Sequence, residues 1–203
     1  PEPDRLVDLQ ELAPSVSPTP LPVNAAHFTT WQERATSFDH LVALAPSLAA
    51  LRDERESVPV ALTHVTADFL STLGLAPLRG RDFAAGDART GHNDVVLAAE
   101  SLWRSRYQAA PDFVGRTVYL DRRPHTVIGI VPDRSDLAAL NLAAAGFSAP
   151  DFYKPLVFGA EELARKMGNH NYRVLGRLRP GSTLASAGRE LDLLGAAIAQ
   201  DAG

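Results

Sequence analysis

Two apolar runs rich in β-branched residues flank a charged corner in residues 113–133, FVGRTVYLDRRPHTVIGIVPD. The first run is Val118–Leu120, the second is Thr126–Val131, and Asp121–Pro124 form the corner between them. Because β-branched residues favour strands while Asp and Pro favour turns, this pattern predicts an antiparallel hairpin. Gly129 lies inside the second run, where a residue without a side chain permits a bulge or the close approach of another backbone. The fold must therefore accommodate a well-specified hairpin in the middle of the chain.

Strand and helix patterns mix irregularly along the rest of the chain. Alternation of apolar and polar residues predicts strands at residues 5–11 and 171–178, and two apolar runs at residues 47–53 and 58–65 predict a further hairpin. Spacings of three and four predict two helices, with apolar stripes made of Phe28, Trp31, Ala35, Phe38 and Val42 and of Leu184, Ala187, Leu191, Leu194 and Ile198. Asn24 is a candidate N-cap of the first helix. This order lacks the regular strand–helix alternation of a parallel sheet, so we expect an α+β fold in two lobes.

Composition narrows the classes of function. The chain has 203 residues, of which 45% are hydrophobic, and this is enough to fill a core. Its net charge is -4, and its Lys and Arg residues are scattered, which argues against binding to nucleic acid or to an anionic membrane surface. Cysteine is absent, which excludes disulfides and thiolate chemistry. The longest weakly polar run, residues 137–147, is about half the length needed to span a bilayer.

The common catalytic motifs are missing. The sequence GFSAP at residues 146–150 lacks the second glycine of a nucleophile elbow, and no phosphate-binding glycine motif occurs. The six histidines form none of the helical pairs that bind zinc. We therefore expect no enzymatic activity, no catalytic residues and no cofactor.

One loop offers an alternative. The polar segment FAAGDARTGHND, residues 83–94, brings Asp82, Asp87, His92 and Asp94 close in sequence, as a metal-dependent hydrolase would require. The simpler interpretation is a solvated loop with turn-forming Asp and Asn, and we favour it because the spacing is not diagnostic of a metal site. Trp31 could stack on a ligand, as could Trp103, but helical periodicity favours core packing for both.

The order of longer phrases carries a resemblance. FTTWQERATSFDHLVAL, VTADFLSTLGLAPLRGRDF, DVVLAAESLWRSRY, VGRTVYLDRRPHTVIGIVP, DFYKPL and RVLGRLRPGSTLASAGRELD follow one another along almost the whole chain. This succession resembles the periplasmic core domain of MacB-like, FtsX-like ABC transporter permeases, closest to the acidobacterial-type branch. Members often have Leu-Asp-Gly at the hairpin corner, whereas Arg122 follows Asp121 here.

The resemblance implies a division into two lobes. A porter-like lobe would consist of residues 1–86 and 169–203, and an inserted, mixed α+β lobe of the sabre type would consist of residues 87–168. The polar loop near Gly86 and the strand that returns after Asn169 agree with this division. The role of the alanine-rich segment 134–150 is left open by its composition.

The resemblance also implies a function. The domain would lie on the periplasmic side of the cytoplasmic membrane, attached to transmembrane helices of the same permease that an ATP-binding subunit drives. It would relay their motion to substrate or partner engagement, in efflux or in mechanical regulation of an envelope enzyme. Possible partners are a second permease in a dimer, a periplasmic protein, and hydrophobic or peptide cargo. Leu9, Leu191 and Leu194 would bear load near the two chain ends.

Overall fold

The computed structural model describes residues 3–13, 17–52, 56–133, 149–166 and 168–201. Ten strands and five α-helices occur in these ranges, and their mixed order confirms the predicted α+β class. Residues 134–148 of the alanine-rich segment lie outside the described residues.

In chain order, the elements are β1 (Leu6–Leu9), β2 (Val23–Asn24), α1 (Ala25–Arg34), β3 (Phe38–Arg52), β4 (Ser57–Val65), α2 (Phe69–Leu73), β5 (Arg79–Gly80), β6 (Val95–Ala99), α3 (Glu100–Ser105), β7 (Thr117–Leu120), β8 (Arg123–Val131), β9 (Phe152–Pro155), α4 (Ala160–Ala164), β10 (His170–Leu178) and α5 (Leu184–Asp201).

The chain forms two compact units. Unit 1 consists of Pro1–Leu44, Ser71–Gly74 and Phe158–Gly203, and unit 2 consists of Ala45–Leu70 and Leu75–Val157. Both terminal segments therefore belong to unit 1, whereas the predicted hairpin belongs to unit 2. The ranges of these units differ from those of the porter-like and sabre-like lobes, and the division into lobes of those two types stays a prediction.

Strand β10 organises unit 1. It pairs antiparallel with β1 along one edge and with residues 38–44 of β3 along the other, while β2 pairs with its first residues. The predicted strands near both chain ends are thus confirmed, and they are neighbours. Helix α5 packs against α1, with Ala187, Leu194 and Ile198 buried along the predicted stripe. Leu184 was predicted to share that stripe but is 68% exposed, because it occupies the first position of the helix.

The first predicted helix is shorter than its periodicity suggested. Helix α1 ends at Arg34, and Ala35 is in an extended conformation with ψ 128°. Phe38 and Val42 therefore lie on β3 rather than on the helical stripe. Phe38 covers Gly176 of β10, where an added Cβ would come within 2.7 Å of the ring. Spacings of four residues fit a strand face as well as a helical stripe, so tertiary packing decided the conformation.

Unit 2 contains the remaining strands. Its strand order is β3, β4, β9, β6, β8 and β5, and β7 pairs with both β3 and β8. Parallel pairs join β4 to β9 and β6 to β8, while the other registered pairs are antiparallel. Adjacent placement of β3 and β4 agrees with the second predicted hairpin. Phe113, Val127, Ile130 and Phe152 are fully buried at the centre of its core.

The central hairpin is confirmed, with a tighter corner than predicted. Strands β7 and β8 pair from Thr117↔Thr126 to Leu120↔Arg123, so the loop is only Asp121 and Arg122. Both residues have positive φ, 50° and 68°, which is the sign pattern of a type I′ turn. The expected glycine is absent, and Arg122 adopts the left-handed conformation in its place.

Gly129 fulfils both roles predicted for it. The register of β6 on β8 skips one residue, because Val96 pairs with Val127 and Leu97 pairs with Gly129. On the other edge of β8, Gly80 of β5 lies opposite Gly129. A Cβ on Gly129 would lie 2.5 Å from the carbonyl oxygen of Arg81, so no larger residue fits without movement. The glycine thus allows the short strand β5 to approach the hairpin closely.

Candidate functional site

The alternative metal site comprised Asp82, Asp87, His92 and Asp94. Asp87 is bound to Arg81, whose guanidinium donates to its two carboxylate oxygens at 2.6 and 3.2 Å and holds the pKa of Asp87 below its usual value. Asp82 accepts a hydrogen bond from the backbone N–H of Phe83 at 2.7 Å, while burial raises the pKa of Asp82. Both carboxylates therefore shape the loop in which they lie, as expected of Asp in turns.

The other two members are apart from this arrangement. His92 is exposed in a turn, and the side chain of Asp94 is 61% exposed, with its Oδ1 3.9 Å from Nε2 of His125. Within the described ranges, no group of three or more His, Asp or Glu side chains is arranged so that it could hold a metal ion. The structure does not bring the four residues together. Asp82 and Asp87 form hydrogen bonds within the loop, His92 lies in a turn, and Asp94 lies directly before β6.

A cavity in unit 2 gathers chemistry that the sequence did not indicate. It has a volume of about 510 Å³, and its lining includes Leu48, Leu62, His64, Arg123, His125 and Lys154. These residues come from β3, β4, β8 and β9, so sheet pairing brings together positions that are far apart in sequence. The cavity is therefore a product of the fold rather than of a local motif.

His125 and Lys154 form its centre. His125 is only 3% exposed, its Nδ1 lies 2.9 Å from the carbonyl oxygen of Arg123, and its Nε2 lies 2.7 Å from Nζ of Lys154. The carbonyl oxygen requires a proton on Nδ1, so Nε2 accepts from the ammonium group. Burial, followed by the charge of Lys154, lowers the pKa of His125, which agrees with a neutral ring.

His64 adds a second imidazole. It lies directly opposite Lys154 in the parallel register of β4 and β9. Burial lowers the pKa of His64, and the charge of Lys154 and the neighbouring His125 ring lower it further. Burial likewise lowers the pKa of Lys154. Three basic groups therefore share one partly desolvated space, and the charge of Lys154 disfavours the protonation of both imidazoles.

Unit 1 contains a second buried polar centre, around Glu11. This carboxylate accepts a hydrogen bond from the backbone N–H of Asn24 at 2.8 Å and lies 3.0 Å from Nδ1 of both His27 and His170. Asn24 also caps α1, because its Oδ1 accepts the N–H of Ala26 at 2.7 Å. The cap was predicted from the sequence, whereas the role of Glu11 was missed. These partners of Glu11 all belong to unit 1, so we interpret this centre as a structural one.

The last helix is held by a similar carboxylate. Glu190 accepts hydrogen bonds from the backbone N–H groups of Thr36 and Ser37 at 2.7 and 2.9 Å and from the Thr36 hydroxyl at 2.6 Å. Burial opposes its ionisation, but these hydrogen bonds prevail and lower the pKa of Glu190 to about 2. Of the residues proposed to bear load, Leu194 is buried, while Leu9 and Leu191 are half-buried.

Comparison with known proteins identifies the family. The profile of the MacB-like periplasmic core domain matches residues 5–194, which is nearly the whole chain. No curated protein sequence matches.

Solved structures share the fold at low identity. The periplasmic region of MacB from Actinobacillus actinomycetemcomitans aligns with a TM-score of 0.67 and 17% identity, over 96% of this chain and 83% of that one. The extracellular domain of the ABC-type transporter YknZ from Gram-positive bacteria gives 0.64 and 15%, over 94% and 93%. A domain of a putative permease from Porphyromonas gingivalis gives 0.64 and 19%, over 96% and 81%.

Within the described ranges, no helix combines the length and the apolar character needed to cross a bilayer. The fold, the family match and the structural neighbours agree with the resemblance recognised in the sequence phrases. The chain belongs to the family of MacB-like periplasmic core domains and is the periplasmic domain of a permease of this type.

Proposed function

We propose that this domain is a non-catalytic relay, which transmits movement of the permease's transmembrane helices to substrate or partner engagement in the periplasm. The observation that carries the proposal is the placement of both terminal segments in unit 1, where strand β1 pairs with β10 and helix α5 packs against α1. Packed units move as rigid bodies, so displacement of either terminal segment would displace the whole unit.

The first fastening is strand β1. Its four residues pair with β10 from Leu6↔Arg177 to Leu9↔Val174. Arg5, just before this strand, donates from Nε to the carbonyl oxygen of Leu178 at 2.7 Å and pairs with Asp39 at 2.5 Å. A pull on this end is therefore resisted by backbone and side-chain bonds in parallel.

The second fastening is helix α5. Its Glu190 binds the connection between α1 and β3 through Thr36 and Ser37. Its apolar stripe packs against α1. Both fastenings lead to β3, because β10 pairs with residues 38–44 of that strand. The same strand continues to Arg52 in unit 2, which provides a covalent path for load.

The names of two relatives support an ATP-driven source for the proposed movement. One is named as an ABC-type transporter and another as a putative permease. An ATP-binding subunit would accordingly drive the helices, and the output would be efflux or mechanical control of a periplasmic partner. A second permease is a candidate partner in a dimer, and hydrophobic or peptide molecules are candidate cargo.

The relay is testable in the complete permease with its ATP-binding subunit. The chain has no cysteine, so spin labels can be attached at exposed positions through Thr117→Cys in unit 2 and Leu193→Cys in unit 1. Pulsed electron paramagnetic resonance would measure the distance between the labels with and without ATP. We expect the distance distribution to change with ATP. Flexible Gly-Ser insertions before Leu6 and after Asp201 should abolish that change.

The matched control is the same insertion after Gly86, in an exposed loop that bears no part of either fastening. It should leave the ATP response intact. Persistence of the response when both ends carry insertions would reject the relay, and so would an intact permease that shows no response.

A further inference from the structure

The cavity of unit 2 has a polar side and an apolar side. Leu62 and Leu120 are buried in its lining, and Leu48 is 73% exposed. His64, His125 and Lys154 provide the polar side. Binding sites for small molecules commonly combine an apolar lining with a few convergent polar groups. This cavity therefore has the composition of a ligand site, which the relay does not require.

Lys154 is a half-buried cation without an ion-paired carboxylate in the described residues. Its hydrogen-bond partner in the described residues is Nε2 of His125, a neutral acceptor, and none of the ion pairs there includes Lys154. Withdrawing a cation from water without an opposing charge is unfavourable, and proteins normally supply a carboxylate. An anion in the cavity would supply that charge.

The charged residues around Lys154 leave the space beside its ammonium group open for an anion. Asp121 lines the cavity, but its Oδ1 accepts the backbone N–H of Ala50 at 2.9 Å. Asp94 is largely exposed, and its Oδ1 is 3.9 Å from His125, beyond hydrogen-bonding distance. Arg123 contributes a further cation to the lining. With both imidazoles neutral, the lining carries two cations and one carboxylate.

We propose that this cavity binds an oxyanion, a carboxylate or a phosphate monoester, joined to an apolar group. The oxyanion would accept hydrogen bonds from the ammonium group of Lys154, and the apolar group would cover Leu48 and Leu62. His64 lies beside the same ammonium group and takes up a proton more readily when an anion neutralises that charge, whereas Nε2 of His125 remains the acceptor of the ammonium group. Binding and proton uptake are therefore linked at this site.

The linkage has a definite sign. The pKa of His64 and that of His125 lie below the usual value in the empty cavity, because of burial and the charge of Lys154. A bound anion raises the pKa of His64, so affinity increases as pH falls through the range in which this ring titrates. The other charged groups near the two rings are Asp94, Asp121 and Arg123.

The test uses the 203-residue chain with four probes: hexyl phosphate, hexanoate, inorganic phosphate and hexanol. Isothermal titration calorimetry gives the affinities, and the C2–H proton resonances of the histidines report their titration. We expect hexyl phosphate and hexanoate to bind, and hexanol to bind at least about tenfold more weakly because it carries no charge. Inorganic phosphate should also bind about tenfold more weakly than hexyl phosphate, because it lacks the apolar group.

Lys154→Gln removes the central charge, and we expect it to weaken hexyl phosphate binding by about tenfold or more. Arg89→Gln is the matched control, since it removes one exposed positive charge from the same unit and should not alter binding. His64→Gln is a second variant, in which binding should persist with a smaller increase at low pH. Melting temperatures confirm that each variant is folded.

Three results would overturn the proposal: no heat and no histidine shift with any charged probe, equal weakening by Lys154→Gln and Arg89→Gln, or equal affinity for hexyl phosphate and inorganic phosphate. The last would show a site for a free oxyanion in which the leucines take no part. This assay contains no membrane and no ATP, so its outcome is independent of the relay.

Discussion

The contact between β5 and the hairpin depends on two glycines, Gly80 and Gly129. Replacing each of them by alanine separates the cost of steric overlap from the cost of left-handed backbone strain. Gly129 has no positive φ, but a Cβ there would lie 2.5 Å from the carbonyl oxygen of Arg81 and 3.0 Å from Cδ2 of Leu97. Gly80 has φ 77°, and a Cβ there would overlap the carbonyl oxygen of Ile128. The first position therefore tests overlap alone, and the second tests overlap and left-handed strain together.

The magnitudes follow from these distances. Overlap with backbone atoms, which cannot rotate away, should cost Gly129→Ala about 2 kcal/mol of unfolding free energy. Left-handed φ adds about 1 to 2 kcal/mol for a residue with a Cβ, so Gly80→Ala should lose about 3 to 4 kcal/mol. For a chain of this size, 1 kcal/mol corresponds to about 2 to 4 °C in melting temperature. The expected decreases are thus about 4 to 8 °C and at least about 6 °C.

Two further glycines in unit 2 complete the design. Gly91 has φ 84° with no atom within 4 Å of its Cβ position, so Gly91→Ala should show the strain alone, about 1 kcal/mol. Gly86 has neither feature, and Gly86→Ala should change stability by less than about 1 kcal/mol. Thermal unfolding followed by circular dichroism measures all four variants. If Gly129→Ala melts with the wild type, or if Gly86→Ala is equally damaging, close approach of β5 is not what requires glycine at position 129.

Three other outcomes are expected from the structure. Arg122→Gly should raise unfolding free energy by about 1 kcal/mol in chemical denaturation, because it removes a left-handed arginine; an unchanged value would contradict the strain. Ile128→Asp should destabilise unit 2 by about 3 kcal/mol or more, because it buries an unpaired charge. Thr126→Asp, at an exposed position of the same strand, should not destabilise the unit. Equal melting temperatures of the two variants would refute this prediction. Burial opposes protonation of His27, but the hydrogen bond and charge of Glu11 prevail and raise the pKa of His27, so the stabilising pair is complete below about pH 6.5 and is lost as pH rises through the folded-state pKa. The difference in unfolding free energy between wild type and Glu11→Gln should therefore shrink from pH 6 to pH 8. A constant difference would exclude the linkage.

Local patterns predicted the elements whose causes are local. The hairpin and the cap at Asn24 each depend on residues within a few positions of one another, whereas Gly129 was singled out by its residue type although its partners in β5 and β6 are distant in sequence. The end of α1 was mispredicted because Phe38 fits a helical stripe as well as a strand, and its choice depends on Gly176, which is far along the chain. Sequence periodicity contains no information on such a partner.

The candidate site was missed for the same reason. His64, His125 and Lys154 come from three strands, and only the parallel register of β4 with β9 and the reach of Lys154 to His125 bring them together. Each residue alone is an ordinary strand position. The sequence signal available was weak: basic side chains inside apolar strands, as in THV, PHTV and FYKP.

The contrast between the two buried polar centres carries the strongest argument about function. Around Glu11, the carboxylate faces two imidazoles and a backbone N–H, so its charge is balanced. A rigid transmitting unit needs such balance, because an unsatisfied buried charge reduces stability. Around Lys154 the described residues provide no ion pair, and burial lowers the pKa of Lys154 although the charges of Asp94 and Asp121 act in the opposite direction. A domain that served only to move would gain stability from Lys154→Met, and the presence of the lysine is most simply explained by an anion that completes the site.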